Sequence, residues 1–225
     1  MKSGVAKLFL RSTAHRALLN FGMELVPFGD KVSHLLEIRG SLARGGLLLN
    51  GCEAYQLMEV VAGTPKIPGD LAEVGVYRGG SARLICDVKG TRDLHLFDTF
   101  DGLPSPTSPD SGTSFSEKEF LSQMEAVREY LSGYSGMFLY AGIFPETAES
   151  IAGRKFAFVH LDVDLYESTR AFLGWFYSGM SRGGVLMCHD YYCAGVRKAV
   201  DEFFTGKPET VIPQPAGAHC LTVKL

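Results

Sequence analysis

The sequence of 225 residues has no Cys-x-x-Cys pair, a single tryptophan and no large excess of charge of either sign. It also has no apolar run of the roughly 20 residues needed to cross a bilayer. The five cysteines, Cys52, Cys86, Cys188, Cys193 and Cys220, are an odd number without metal-site or disulfide-framework spacing, so reduced thiols in a cytoplasmic protein are the expectation. With 22 Lys and Arg against 25 Asp and Glu, the net charge of -3 offers no electrostatic basis for a nucleic-acid partner. Neither Gly-x-Gly-x-x-Gly nor Gly-Lys-Ser/Thr occurs, which removes the dinucleotide fingerprint and the P-loop.

The hydrophobic content of 46% suffices for one substantial core. In residues 1–25, Lys2, Lys7, Arg11 and Arg16 alternate with Leu8, Leu10, Leu18 and Phe21, too interrupted for a signal peptide. An amphipathic helix packed on the domain or on a second copy is favoured over one lying on a membrane surface. Residues 1–69 read as a helical cap broken at Gly40, Gly45-Gly46 and Gly51, and Thr64-Pro-Lys-Ile-Pro-Gly69 as a hinge into a core over 70–225. In that core short apolar runs alternate with helical stretches, the mark of βα units around a mostly parallel sheet. Strands are expected over 71–76, 94–98, 137–141, 156–162 and 185–188, with helices starting near Gly80, Ser116, Glu146, Tyr166 and Ala194. Two further strands, 210–212 and 219–223, are joined so tightly by Pro213-Gln-Pro-Ala-Gly217 that they should be antiparallel. Trp175, Phe172 and Phe176 read as core positions on a helix face.

The chemistry concentrates where strands end. Phe156-Ala-Phe-Val-His-Leu-Asp162-Val-Asp164 is a buried strand delivering carboxylates to the sheet's carboxyl edge, where ligands of open α/β sheets bind. Gly184-Val-Leu-Met-Cys188 ends likewise in His189-Asp190. Asp162, His189 and Asp190 are thus candidate metal ligands or acid/base groups, and Asp164 is either site residue or helix cap in Asp164-Leu-Tyr-Glu167. A zinc site involving Cys188 and Cys193 is disfavoured by spacing and by strand alternation.

The loop Glu73-Val-Gly75-Val-Tyr77-Arg78-Gly79-Gly80-Ser81 lets backbone approach a ligand closely. Asp98 and Thr99, at the end of the next strand, suit a ribose. For a donor with a methionine end, Glu73 would face the ammonium, and Arg78 with the amides of Gly79 to Ser81 the carboxylate. The polar stretch 101–116 has no period and follows a strand end, which reads as a lid over the same edge.

These blocks, with Phe97-Asp-Thr-Phe-Asp-Gly-Leu-Pro104, Leu161-Asp-Val-Asp-Leu-Tyr-Glu-Ser-Thr169 and Ser181-Arg-Gly-Gly184 leading to His189-Asp-Tyr191, resemble the macrocin O-methyltransferase-like group of class I S-adenosylmethionine-dependent methyltransferases. The resemblance implies a Rossmann-like seven-stranded sheet with a reversed last strand, bound magnesium, and methyl transfer to a sugar-type hydroxyl. It makes Asp162 a magnesium ligand and base, and Asp190 a second ligand. Position 189 departs from the Asp-Asp-Tyr common in that group, leaving His189 as ligand, base or structural residue. As a ligand it would favour manganese or cobalt over magnesium. The expected function is a metal-assisted O-methyltransferase acting on a glycoside or other polyol-like small molecule. The alternatives are a metal-independent methyltransferase with His189 as base and a non-catalytic cofactor-binding regulatory protein.

Overall fold

The computed structural model describes residues 37, 38, 40, 41, 46–214 and 218–225. The amphipathic helix expected over 1–25 and the tip of the final turn lie outside the described residues. Seven strands form one mixed sheet: β1 (Asp70–Val74), β2 (Leu94–Asp98), β3 (Met137–Ala141), β4 (Phe156–Leu161), β5 (Met180–Cys188), β6 (Ile212–Pro213) and β7 (Cys220–Val223), ordered β3-β2-β1-β4-β5-β7-β6. β3, β2, β1, β4 and β5 run parallel, whereas β7 is antiparallel to both β5 and β6. The antiparallel pairing of β6 with β7 follows from the short connection between them, which is too brief for a parallel crossover.

Helices α1 (Gly51–Ala62) and α2 (Gly80–Val88) cover one face of the sheet, and α4 (Tyr166–Gly179) and α5 (Ala194–Phe204) the other. The seven-residue α3 (Met124–Tyr130) adds Val127 to the first layer. Strand alternation sorts the core between the layers: Leu71, Leu96 and Phe158 pack toward α1 and α2, while Ala72, Val74, Phe97 and Val159 pack toward α4 and α5. All six residues of β4 are buried because helices flank this central strand on both sides. Phe172 and Phe176 are core residues of α4, as their helical spacing predicts, and Trp175 packs against Phe144, Phe156 and Phe176.

Helix α1 is anchored at both ends. Asn50 caps α1 with its side chain, and Glu53 reciprocates to the Asn50 amide, completing a capping box. At the other end, Arg92 donates to the Thr64 carbonyl and hydroxyl and to the Val61 carbonyl, tying the hinge to the α2–β2 loop.

Two expected helices differ. Near Ser116 the chain forms a turn in place of a helix, with the Ser116 amide donating to Glu119, and left-handed Lys118 and Phe120 then divert the chain. That turn pairs with the loop after β2 through Lys118 N–H to the Leu103 carbonyl and Leu103 N–H to the Glu119 carbonyl, so α3 begins only at Met124. The segment at Glu146 forms a 3-10 helix, Glu146–Ile151.

Gly75, just beyond β1, has φ of 86°, and a Cβ there would lie 1.7 Å from the Asp162 carbonyl oxygen. Only a bare α-carbon lets the ends of β1 and β4 come this close. Gly75→Ala should therefore cost about 3 kcal/mol of stability through overlap and left-handed strain, measured by denaturant unfolding. A loss below about 1 kcal/mol would show that the two strand ends separate freely.

Candidate active site

One non-glycine residue adopts a left-handed conformation just beyond each of the four strands at the sheet's centre: Tyr77 after β1, Phe100 after β2, Asp164 after β4 and Asp190 after β5. Each such residue costs on the order of 1 kcal/mol, and such strain collects at functional sites. The turns open a cavity of about 870 Å³ at the carboxyl edge, lined by Gly75, Tyr77, Asp98, Thr99, Asp162, Asp164, His189 and Asp190 among others. That size lies within the usual range for small-molecule sites.

At the floor, one ligand-type atom from each of Asp162, His189 and Asp190 lies within 4.8 Å of the others. His189 Nδ1 is 2.9 Å from Asp162 Oδ1 and 3.1 Å from Asp190 Oδ2, and Nε2 is 3.6 Å from Glu53 Oε2. Both ring nitrogens are buried, yet neither makes a hydrogen bond of good geometry. Burial disfavours the imidazolium, but Asp162, Asp190 and Glu53 outweigh it and raise the His189 pKa far above its ordinary value. Burial also works against charge on Asp190, and His189 reverses this, holding Asp190 below the usual carboxylate range. Asp164 is pushed well above that range by burial and then by the charges of Asp162 and Asp190. The expected pair of strand ends is therefore one electrostatic unit. Cys188 is buried beneath it with its thiol at the His189 carbonyl, and none of the five cysteines forms a disulfide.

The loop after β1 departs from expectation. Gly75 and Tyr77 line the cavity, but Glu73 is fully buried and its Oε1 lies 2.9 Å from His160 Nδ1. Strand alternation explains this: Glu73 points with Leu71 toward the α1 and α2 layer, opposite its register partner His160 on β4. Glu73 is not among the residues that line the cavity, and burial raises its pKa despite His160. The Gly79 amide donates to the Val76 carbonyl and the Gly80 amide to the Gly46 carbonyl, so neither is open to a ligand carboxylate. A Cβ on Gly80 would lie 2.2 Å from the Gly46 oxygen, which makes this glycine a packing requirement. Arg78 lies over the Tyr77 ring and borders a separate cavity of about 470 Å³ with Gly46 and Tyr130. Ser81 is buried beside Glu73.

Asp98 lines the cavity, but three backbone amides, those of Val76, Tyr77 and Phe100, donate to its carboxylate at 2.7–2.8 Å. With three of about four acceptor positions filled, it shapes the loop first and has at most one position left for a ribose hydroxyl. Thr99 stays on the cavity wall, its hydroxyl donating to the Gly102 carbonyl.

Residues missed in the sequence complete the site. Asp110 is buried and accepts the Tyr166 amide at 2.8 Å, capping α4, while its other oxygen accepts from the Thr107 amide and hydroxyl. Of the two readings of Asp164, the helix cap is thereby replaced: Leu165 stands at the N-cap and left-handed Asp164 lines the cavity. The 101–116 segment is thus fastened at its middle, with Asp101, Leu103, Pro104 and Phe115 on the cavity wall. Leu48, Ile143 and Tyr192 line the same cavity and are 62%, 72% and 66% exposed, forming an apolar rim. Glu53 had a visible signal, its place in Asn50-x-x-Glu53, but that signal describes only a helix cap.

The family model described as macrocin O-methyltransferase (TylF) matches residues 53–215, from the start of α1 to beyond β6. The chain belongs to the macrocin O-methyltransferase family. Among its relatives, demethyldecarbamoylnovobiocin O-methyltransferase of Streptomyces niveus is 31% identical over 66% of this chain and 62% of that protein. The 8-demethyl-8-(2,3-dimethoxy-alpha-L-rhamnosyl)-tetracenomycin-C 4'-O-methyltransferase of Streptomyces olivaceus is 31% identical over 61% of this chain and 58% of that protein. The matched stretch therefore spans about three fifths of these relatives' length. In structure the chain is similar to the calicheamicin methyltransferase CalS11, with a TM-score of 0.68 at 17% identity over 88% of this chain and 86% of that one. The fold is the Rossmann-like α/β fold of class I O-methyltransferases.

Asp110 marks where the macrocin O-methyltransferase fold of this chain holds its loop. Asp110→Ala should lower stability by about 1 to 2 kcal/mol through loss of the α4 cap, and should speed proteolytic cutting within 101–116. Unchanged cleavage would mean that the loop is held elsewhere.

Proposed function

We propose that the chain is an S-adenosylmethionine-dependent O-methyltransferase acting, with a divalent ion, on a hydroxyl of a sugar or glycosylated small molecule. The observation that carries this reading is the convergence, in one cavity, of the Gly75 to Tyr77 turn with the Asp162, His189 and Asp190 cluster. The relatives' sugar-bearing acceptors support the acceptor class, and the exposed apolar rim suits a ligand larger than a free sugar.

The donor would lie along Gly75, Tyr77, Asp98 and Thr99, where the bare α-carbon of Gly75 leaves room for close approach. It supplies an electrophilic methyl group. The ion would be held by Asp162, His189 and Asp190, whose mixed nitrogen and oxygen donors, with a buried imidazole Nδ1 lacking a hydrogen bond, fit a cation. When bound, such an ion lowers the pKa of a coordinated hydroxyl and orients it. Asp162 and Asp164 both reach the cavity and are the residues to accept the hydroxyl proton. The loop 101–116 and Tyr192 narrow the mouth and limit water around the reacting groups.

His189 as the base of a metal-free enzyme is the weaker reading, because without a cation the surrounding carboxylates favour its protonated form, whereas an ion bound among them would take the place of that proton. A purely regulatory protein has no use for a strained polar cluster beside the donor loop. A cytoplasmic setting and a core over 70–225 with an N-terminal helical cap complete the proposal. No helix among the described residues is long and apolar enough to cross a membrane.

Methyl transfer to a panel of glycosides, followed by mass spectrometry with labelled donor, tests the reading. Asp162→Asn and Asp190→Asn should each lower turnover by at least about 100-fold, as should chelator. Full turnover in excess chelator, with loss in His189→Ala, would replace the metal-assisted route by the metal-free one.

A further inference from the structure

Glu53 has an unusual set of neighbours for a helix-capping residue. Its Oε2 accepts the Asn50 amide at 2.9 Å, its Oε1 accepts the buried Ala218 amide at 3.1 Å, and Oε2 also lies 3.6 Å from His189 Nε2. One carboxylate thus joins the start of α1, the approach to β7 and the imidazole at the end of β5. The His189 ring is gripped from other directions too. Its backbone amide donates to the Leu161 carbonyl at 2.8 Å, and the His219 ring packs edge-on at 4.9 Å between centroids. The result is an imidazole with Nδ1 turned to Asp162 and Asp190 and Nε2 turned to a carboxylate from another element.

Metal-bound histidines characteristically give their second nitrogen to a carboxylate, which fixes the tautomer and raises ligand basicity. We propose that Glu53 is a positioning residue for His189, presenting Nδ1 to a cation held with Asp162 and Asp190, and that this site prefers manganese or cobalt to magnesium. The inference rests on reading the cluster as an ion site and deepens that reading. Magnesium favours oxygen ligands and keeps its waters, whereas imidazole binds later divalent ions more strongly.

Calorimetric titration of magnesium, manganese and cobalt(II) into the chelator-treated, dialysed full chain tests this, with visible absorption of the cobalt form as a second readout. Cobalt(II) should bind at least about tenfold more tightly than magnesium. His189→Asp should remove that preference and alter the cobalt spectrum. Glu53→Gln should weaken cobalt binding by about 10- to 100-fold and change magnesium binding little. Because Glu53 also caps α1, Asn50→Ala serves as the control: it breaks the other half of the cap and should leave ion affinities unchanged. An Asn50→Ala protein as impaired in cobalt binding as Glu53→Gln would assign the effect to the helix and overturn the positioning role. Equal affinity for magnesium and cobalt in the unmodified chain would overturn the preference alone, whereas no binding of any ion would overturn the metal-assisted reading itself.

Discussion

The site depends on bringing acidic groups together at the carboxyl edge of a buried sheet without letting them repel the strands apart. Asp162, Asp164 and Asp190 follow adjacent strands, and Glu53 approaches from the cap. Each carboxylate loses hydration there, a cost that must be offset by a nearby positive charge, hydrogen bonds or a proton. His189 offers the positive charge, and Asp164 responds by having its pKa raised. The arrangement is costly for stability alone. It is sensible for chemistry, because a cation placed among the same groups would meet the same demand.

Backbone geometry supports this concentration of charge. The left-handed residues after β1, β2, β4 and β5 stop each strand abruptly and turn the chain around the cavity. Gly75 lets β1 and β4 close to within contact, and the three amides on Asp98 shape the loop that faces the cluster. The opposite layer contributes at a distance: Asp110 caps α4 from the loop after β2, and Gly195 in α5 has no Cβ to displace it, since one would come within 2.0 Å of Asp110 Oδ1. The 101–116 loop, helix and strand ends are therefore mechanically joined.

Most of the architecture was legible because it rests on local pattern. The continuous apolar run of β4, the short β6–β7 connection and the polar residues terminating β4 and β5 all lead to the observed sheet and cluster. What was not legible depended on direction and competition. Glu73 lies in the right motif but points, by alternation, into the α1 and α2 layer, where His160 occupies it. The amides of Gly79 and Gly80 look free in sequence, yet carbonyls of Val76 and Gly46 take them. Asp164-Leu-Tyr-Glu167 reads as a capping box, but Asp110, 56 residues earlier, reaches the same helix start first. Glu53 showed only its local role, and its approach to His189 emerges from tertiary contact.

The central claim is that the cavity at this edge receives a methionine-bearing nucleoside beside an ion cluster that does separate work. Calorimetric titration with S-adenosylhomocysteine, in the unmodified protein and in Asp162→Asn, tests it most directly. The account predicts saturable one-to-one binding in both proteins, with affinities within about threefold, since losing the cluster should leave the donor surface intact. No binding of S-adenosylhomocysteine, or tight binding of NAD in its place, would contradict it.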